Sequence, residues 1–158
     1  EQGFTLSTDK YHVTQADSHF ITQDVPRDES GRLVLDFGEG MKNVYALGTD
    51  TEIGEYSDHE VHLSAHPYGR GVYLAGLPYS HENTRLLIRS MYYAACKEGE
   101  MKKWFSDNLF CEVHGYPESG KYAVVNNTSR GQSTVVYDGD GHGTFMELLP
   151  CEIKWFDL

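Results

Sequence analysis

Two short stretches contain residues whose types and spacing suggest chemistry. His62 and His66 fall on one predicted strand, about 13 Å apart by the rise per residue, which is too far for both to bind one zinc ion. His59 falls on the opposite face of the chain. The loop beginning Asp138-Gly139-Asp140-Gly141 starts like a calcium loop, but its twelfth position is Leu149, where an EF-hand needs glutamate. Solvated histidines and a glycine-rich hairpin turn are therefore the favoured interpretations.

The sequence also lacks the pattern of a serine nucleophile. Ser80 lies between a predicted strand and a predicted helix, but Gly-x-Ser-x-Gly, the pattern of a nucleophile elbow, does not occur. Capping of the helix explains Ser80 without catalysis. The 24 acidic residues offer too many pairs for a glycosidase-like pair of carboxylates to be chosen. We therefore assign no catalytic, cofactor-binding or metal-binding residue, and a metal-dependent hydrolase is disfavoured.

Aromatic side chains provide an alternative of a different class. Tyr116, Tyr122 and Trp155 fall in predicted strands, and exposed aromatic rings with a polar end can form a platform for a sugar. Trp155 and Phe156 are adjacent in one strand, so one of the two should point outward. A free-standing carbohydrate-binding or structural module is therefore one hypothesis. The competing interpretation is that the outward ring packs on another domain.

Composition limits the partners and the compartment. The formal net charge of −11 repels nucleic-acid backbones and anionic lipid headgroups, so neither nucleic acid nor a membrane is expected as a partner. No apolar run approaches the roughly 20 residues of a membrane span. Cys96, Cys111 and Cys151 are an odd number without a close pair, which favours reduced thiols and a cytoplasmic location. The start, Glu1-Gln2-Gly3, has no signal pattern or initiator methionine, which suggests a piece of a longer protein.

In the first part of the chain, the elements are organised around a strand followed by a helix. Residues 72–77 are uncharged and predict a strand buried on both faces. Ser80 is the predicted N-cap of a helix that ends near Ala95. Its predicted apolar stripe consists of Leu86, Leu87, Met91, Tyr92 and Ala95. Further strands or extended segments are predicted over 33–37, 44–47, 51–56 and 60–66. The fold class predicted for residues 1–107 is therefore α/β, with a sheet that is partly parallel and partly antiparallel.

The composition changes after Cys96. Residues 97–100 form a charged linker, and 101–105 predict a short amphipathic helix, with the domain boundary placed after 107. Short strands separated by turn clusters follow, at 110–116, 121–127, 133–137, 143–149 and 152–156. Residues 108–158 are therefore predicted to form a second, all-β domain, a small antiparallel β-sandwich or barrel.

Several strings longer than any single motif occur in both parts of the chain. They span residues 3–11, 36–47, 76–80, 82–83, 85–87, 103–105, 120–122 and 124–128. Together these strings resemble the C-terminal third of the 1,3-β-galactosyl-N-acetylhexosamine phosphorylases. These bacterial enzymes, also called lacto-N-biose or galacto-N-biose phosphorylases, form glycoside hydrolase family 112. The resemblance runs nearly from end to end of the chain.

The resemblance implies a three-part cytoplasmic parent enzyme. Its barrel carries the active site, its central α/β domain is like a glutamine amidotransferase, and a small β domain ends it. This chain would hold the end of the central domain and the whole last domain. The parent is expected to form a homodimer, and the barrel domain is the expected partner of this chain. Because the barrel contributes the catalytic acid and the substrate contacts, no site residue is carried over.

The implied reaction is that of a glycosyltransferase-type inverting phosphorylase. It converts lacto-N-biose or galacto-N-biose and inorganic phosphate into α-galactose 1-phosphate and N-acetylhexosamine, and some members act on galactosyl-1,4-rhamnose. An acid protonates the leaving oxygen while phosphate attacks the opposite face, so phosphate is a co-substrate and no cofactor is expected. The chain is accordingly expected to be a non-catalytic C-terminal fragment that is inactive by itself.

Overall fold

The computed structural model describes residues 19–44, 53–57 and 60–158. The chain divides into two compact units, which separate between Cys96 and Lys97. Residues 97–107, predicted to end the first domain, belong to the second unit. The strand Phe105–Ser106 in this segment pairs with Val136 and Tyr137 of that unit.

The first unit contains a three-stranded antiparallel sheet and a helix. Strands β1 (Ile53–Ser57), β2 (Glu60–Ala65) and β3 (Val72–Leu74) are hydrogen-bonded in the order β1-β2-β3. A 3-10 turn covers Phe20–Thr22, and helix α1 covers His81–Ala94. In β2, the side chains of Val61, Leu63 and Ala65 are buried, as the period-two pattern predicts.

Two strand predictions in the first unit are wrong in detail. Strand β3 ends at Leu74, lies at the edge of the three described strands and is half-buried rather than buried on both faces. Directly after it, the Ala75 backbone oxygen accepts a hydrogen bond from the Met41 nitrogen of a neighbouring loop. Residues 33–37 form an extended segment with one isolated bridge, between Arg27 and Leu33. Leu33, Leu35 and Phe37 nevertheless pack in the core, whereas Val34 is exposed, and this alternation explains the strand-like pattern. Of the predicted strand 44–47, residues 45–47 lie outside the described residues.

Helix α1 begins as predicted. The Ser80 hydroxyl accepts a hydrogen bond from the Asn83 backbone nitrogen at 3.0 Å, which caps the helix. Leu86 lies in the core and Tyr92 is half-buried, but the rest of the predicted stripe is wrong, because Leu87, Met91 and Ala95 are exposed. The buried face of α1 instead carries mostly polar and amphipathic side chains. These buried residues are Asn83, Leu86, Arg89, Ser90 and Tyr93.

The second unit contains all five predicted strands and one more. They are β4 (Phe105–Ser106), β5 (Cys111–Tyr116), β6 (Lys121–Asn126), β7 (Gln132–Tyr137), β8 (Gly143–Leu148) and β9 (Ile153–Asp157). They form two three-stranded antiparallel sheets, with the orders β4-β7-β8 and β5-β6-β9. The short helix predicted over 101–105 is wrong: a 3-10 turn covers Glu98–Lys102, and Phe105 enters β4.

Both sheets of the second unit contribute to one core. Cys111 and Val124 come from one sheet, and Val136 and Leu148 come from the other. Burial, and then the charge of Asp107, raises the pKa of the Cys111 thiol. Across the described parts of both units, the fold is mixed: one α-helix with three antiparallel sheets.

Trp104 lies against two glycines of the second unit. Its backbone is in the left-handed region (φ 52°), which is unusual for a bulky residue. A Cβ added at Gly115 would lie 2.7 Å from Trp104 Cδ2, and a Cβ at Gly139 would overlap Trp104 Cζ2. The indole therefore occupies space that any side chain at either glycine would need.

Replacing Gly139 with alanine is expected to destabilise the second unit by about 1–2 kcal/mol, because the new methyl group overpacks the indole. Urea denaturation followed by tryptophan fluorescence measures this change. Gly131→Ala is the matched control, since a Cβ there meets only the Leu148 carbonyl oxygen, at 3.6 Å. Equal midpoints for the two variants would contradict the proposed overlap.

Candidate functional site

His62 and His66 each make contacts of their own within the first unit. The ring of His62 packs against Phe37, with 5.5 Å between ring centroids, and His66 Nδ1 accepts a hydrogen bond from the Gly69 backbone nitrogen at 3.1 Å. His59 lies outside the described residues. Among the residues that the structure does describe, no three or more His, Cys, Asp or Glu residues form a group that could hold a metal ion.

The glycine-rich loop is a hairpin turn between β7 and β8, as predicted. Asp138 Oδ1 accepts hydrogen bonds from the backbone nitrogens of His142 and Asp140, both at 2.9 Å. Both bonds lower the pKa of the Asp138 carboxyl group, and the bond from His142 has the larger effect. Gly141 has a φ of 86°, which glycine adopts without strain. The Asp138 carboxylate therefore stabilises the turn.

Two of the three predicted sugar-binding aromatics come together. The rings of Tyr116 and Trp155 lie 5.6 Å apart, with 31° between their planes. The two residues are 44% and 59% exposed. Phe156 is partly buried and packs against the core of the second unit, so Trp155 is the outward member of the adjacent pair.

Tyr122 does not join this pair. Its ring stacks on Phe156, with centroids 4.9 Å apart and planes at 17°, and it also contacts Trp104. Burial, and then the charge of Asp138, raises the pKa of the Tyr122 hydroxyl. Tyr122 therefore belongs to the interior side of its sheet.

The geometry of the sheet explains how Tyr116 and Trp155 meet. They lie on β5 and β9, on either side of the middle strand β6. Ala123 is paired with Trp155 in the register, and it alternates with Val124, which is buried in the core. Ala123 therefore points to the outer face, yet it is itself buried. Because Ala123 is small, the two rings can approach each other across β6.

Polar side chains that can donate or accept hydrogen bonds surround the aromatic pair on the same face. Lys121 Nζ lies 4.0 Å from Asp157 Oδ1, and Lys121 is paired with Tyr116 in the register. His114 Nε2 lies 3.0 Å from Glu112 Oε2, and His114 is paired with Ala123. We call the surface formed by these residues the aromatic face. Its members are Glu112, His114, Tyr116, Lys121, Ala123, Val125, Ile153, Trp155 and Asp157.

Comparison with known protein families identifies the chain. The model of the lacto-N-biose phosphorylase central domain matches residues 1–99, and the model of the C-terminal domain matches residues 104–156. The chain belongs to the lacto-N-biose phosphorylase family. The resemblance seen in the sequence strings is thereby confirmed.

Curated relatives agree with this membership. Two 1,3-β-galactosyl-N-acetylhexosamine phosphorylases of Lachnoclostridium phytofermentans are 44% and 46% identical to the chain, over 100% and 99% of its length. A phosphorylase of the same name from Bifidobacterium longum subsp. longum is 36% identical over 96% of the chain. The chain spans only 21%, 21% and 24% of these three relatives.

Three of the strings on which the resemblance rests meet in the first unit. The Asn83 side-chain nitrogen donates hydrogen bonds to the backbone oxygens of Asp36 at 2.9 Å and Pro78 at 2.7 Å. The Met41 backbone nitrogen donates to the Ala75 oxygen at 2.8 Å. Asn83 is buried and therefore links the two loops to the start of α1. The sequence pattern predicts the cap by Ser80 but not this role of Asn83.

A second missed feature is the ion pair beneath α1. Asp24 Oδ2 lies 2.6 Å from Arg89 Nε and 3.2 Å from Arg85 Nη1. The side chains concerned are largely buried.

No helix in the described parts of the chain is long and apolar enough to cross a membrane.

Proposed function

We propose that this chain is a non-catalytic C-terminal fragment of an inverting phosphorylase. The parent enzyme would convert lacto-N-biose or galacto-N-biose and inorganic phosphate into α-galactose 1-phosphate and N-acetylhexosamine. The observation that carries this proposal is the end-to-end match to phosphorylases of which the chain spans about a fifth. A parent acting on galactosyl-1,4-rhamnose is the alternative within the same family.

The parent reaction, as proposed, needs one acidic side chain and inorganic phosphate. A carboxylic acid protonates the oxygen of the leaving sugar, while phosphate attacks the anomeric carbon from the opposite face. Phosphate is consumed as a co-substrate, so the reaction as proposed requires no organic cofactor. We assign the acid to the barrel of the parent rather than to any residue of this chain.

The exposed face of α1 supports a scaffolding role. Leu87, Ile88 and Met91 are exposed and uncharged, whereas the face that packs in the first unit includes the charged Arg89. Exposed contiguous apolar surface marks a site of interaction. We propose that the second subunit of a parent homodimer covers this face, and that the second unit contacts the barrel of the parent.

The proposal also covers the fold of the two units and the cellular location of the parent enzyme. The first unit would be the end of an amidotransferase-like α/β domain, and the second unit would be a small β-sandwich. The cysteines are free, which supports a reducing, cytoplasmic location. These residues are Cys96, Cys111 and Cys151.

The purified chain, incubated with lacto-N-biose and phosphate, is expected to release no galactose 1-phosphate. Galactose 1-phosphate can be measured by a coupled enzymatic assay. The full-length Bifidobacterium relative, under the same conditions, is the positive control. Turnover by the chain that rises in proportion to its concentration would overturn the proposal that it is non-catalytic.

A further inference from the structure

We propose that the aromatic face binds a saccharide, with one pyranose ring seated on Tyr116 and Trp155. This inference goes beyond the proposed function, because it gives the second unit a ligand of its own. It depends on the contacts within the β5-β6-β9 sheet and on the exposure of the two rings.

The two rings supply an apolar surface of suitable shape. With centroids 5.6 Å apart and 31° between planes, Tyr116 and Trp155 form a shallow aromatic surface rather than an edge-to-face pair. The axial C–H groups on one side of a pyranose are weakly positive, and the face of an aromatic ring is negative. A sugar ring lying flat on this surface therefore gains both apolar burial and electrostatic attraction.

The surrounding side chains supply hydrogen bonds for sugar hydroxyls. Lys121 donates, the Asp157 carboxylate accepts, and both are exposed, with 4.0 Å between Nζ and Oδ1. That distance leaves the two groups able to hydrogen-bond to a hydroxyl placed between them. Glu112 and His114 provide a second pair, 3.0 Å apart and also exposed. A few polar groups around an apolar surface are the usual composition of a small-molecule site.

The charges also favour a saccharide over a protein partner. The core of a protein–protein interface is depleted of charged residues, but four charged or titratable side chains lie on the aromatic face. The exposed side of α1, with Leu87, Ile88 and Met91, has the uncharged composition expected of a protein interface. The relatives are named for a galactosyl-N-acetylhexosamine, so a disaccharide of that class is the appropriate probe.

The test is titration of the 158-residue chain with β-1,3-galactosyl-N-acetylglucosamine, followed by two-dimensional NMR of ¹⁵N-labelled protein. We expect a saturable shift of the Trp155 indole resonance and little change at the Trp104 indole. The acyclic polyol sorbitol, at the same concentrations, is the control ligand, because it has hydroxyls but no pyranose ring. Sorbitol should produce no saturable shift.

Variants separate the aromatic face from non-specific binding. Trp155→Ala and Tyr116→Ala should each weaken binding by about tenfold or more, whereas Trp155→Phe should retain part of it. Binding by the Ala variants is followed at the backbone amides of β6. Phe145→Ala is the matched control, since Phe145 is an exposed aromatic on β8 of the other sheet, and it should bind as the unaltered chain does.

Three results would overturn the inference: no saturable shift at Trp155, equal weakening in Phe145→Ala, or self-association of the chain that Trp155→Ala abolishes. The last would assign the face to contacts between copies. Each of these results leaves the assay for galactose 1-phosphate unaffected. Failure here is therefore distinguishable from failure of the proposed function.

Discussion

Replacing Asp24 with alanine is expected to lower the free energy of unfolding of the first unit by about 3–5 kcal/mol. The carboxylate lies 2.6 Å from Arg89 Nε and 3.2 Å from Arg85 Nη1. The side chains of Arg89 and Asp24 are only 6% and 17% exposed. The variant keeps the Arg89 guanidinium buried but removes the Asp24 carboxylate, so its desolvation is no longer offset by this charge.

Urea denaturation followed by two signals measures this loss. Far-UV circular dichroism follows α1, whereas fluorescence follows Trp104 and Trp155, which are the two tryptophans of the chain and lie in the second unit. The dichroism midpoint should fall in Asp24→Ala. Glu29→Ala is the matched control, because it removes an exposed carboxylate from the same unit and should leave the midpoint in place.

A double variant identifies the cause of the loss. Adding Arg89→Met to Asp24→Ala should recover part of the stability, since an apolar pair often replaces a buried ion pair without loss. If Asp24→Ala were as stable as Glu29→Ala, the ion pair would not hold α1 in place. If the double variant recovered nothing, the unpaired charge of Arg89 would not be the cause of the loss, unless Arg89→Met costs as much by removing the hydrogen bond that Arg89 donates to the Phe20 backbone oxygen; Arg89→Met alone measures that cost.

The β-strands of the second unit could be predicted because their determinants are local. Side chains along β5, for example, alternate between more and less buried, and clusters of turn residues separate the predicted strands. The hairpin at Asp138 is an example, since one carboxylate and Gly141 determine its shape. Strand β2 was predicted for the same reason, from Val61, Leu63 and Ala65.

The buried face of α1 could not be predicted because its determinants are distant in the sequence. Leu87 and Met91 are as apolar as the buried Leu86, so hydrophobic periodicity does not select between the two faces. The face that includes Arg89 is buried because Arg89 pairs with Asp24. In the sequence, Asp24 is separated from α1 by all three strands of the sheet. A pattern within the helix carries no information about that carboxylate.

The candidate site was predicted in part, and the missing part depends on register. Tyr116 and Tyr122 are separated by a turn that ends at Gly120, whose φ is 63°. In the observed register, Tyr116 is paired with Lys121 and shares its side of the sheet. Tyr122, the next residue after Lys121, therefore lies on the opposite side. A shift of one residue would exchange the two faces, and the sequence pattern alone does not define this register.

Replacing Gly76 with alanine is expected to destabilise the first unit by about 3 kcal/mol, near the upper end of the range for overpacking. A Cβ at Gly76 would overlap the Phe37 backbone oxygen and would lie 3.0 Å from Gly40 Cα. Both neighbours are backbone atoms, which cannot rotate away as a side chain can. The loops at 36–41 and 75–78, in which the strings of the family meet, would have to separate.

The far-UV dichroism midpoint in urea again measures the change, and Gly71→Ala is the matched control. A Cβ at Gly71 meets no atom within 4 Å and its φ is not positive, so this variant should be as stable as the unaltered chain or slightly more so. Separation of the loops should also lengthen the Asn83 hydrogen bonds to Asp36 and Pro78, which NMR can follow through the Asn83 side-chain amide. If Gly76→Ala kept both the midpoint and that amide resonance unchanged, the close approach of the two loops would not constrain this unit, and the glycine would need another explanation.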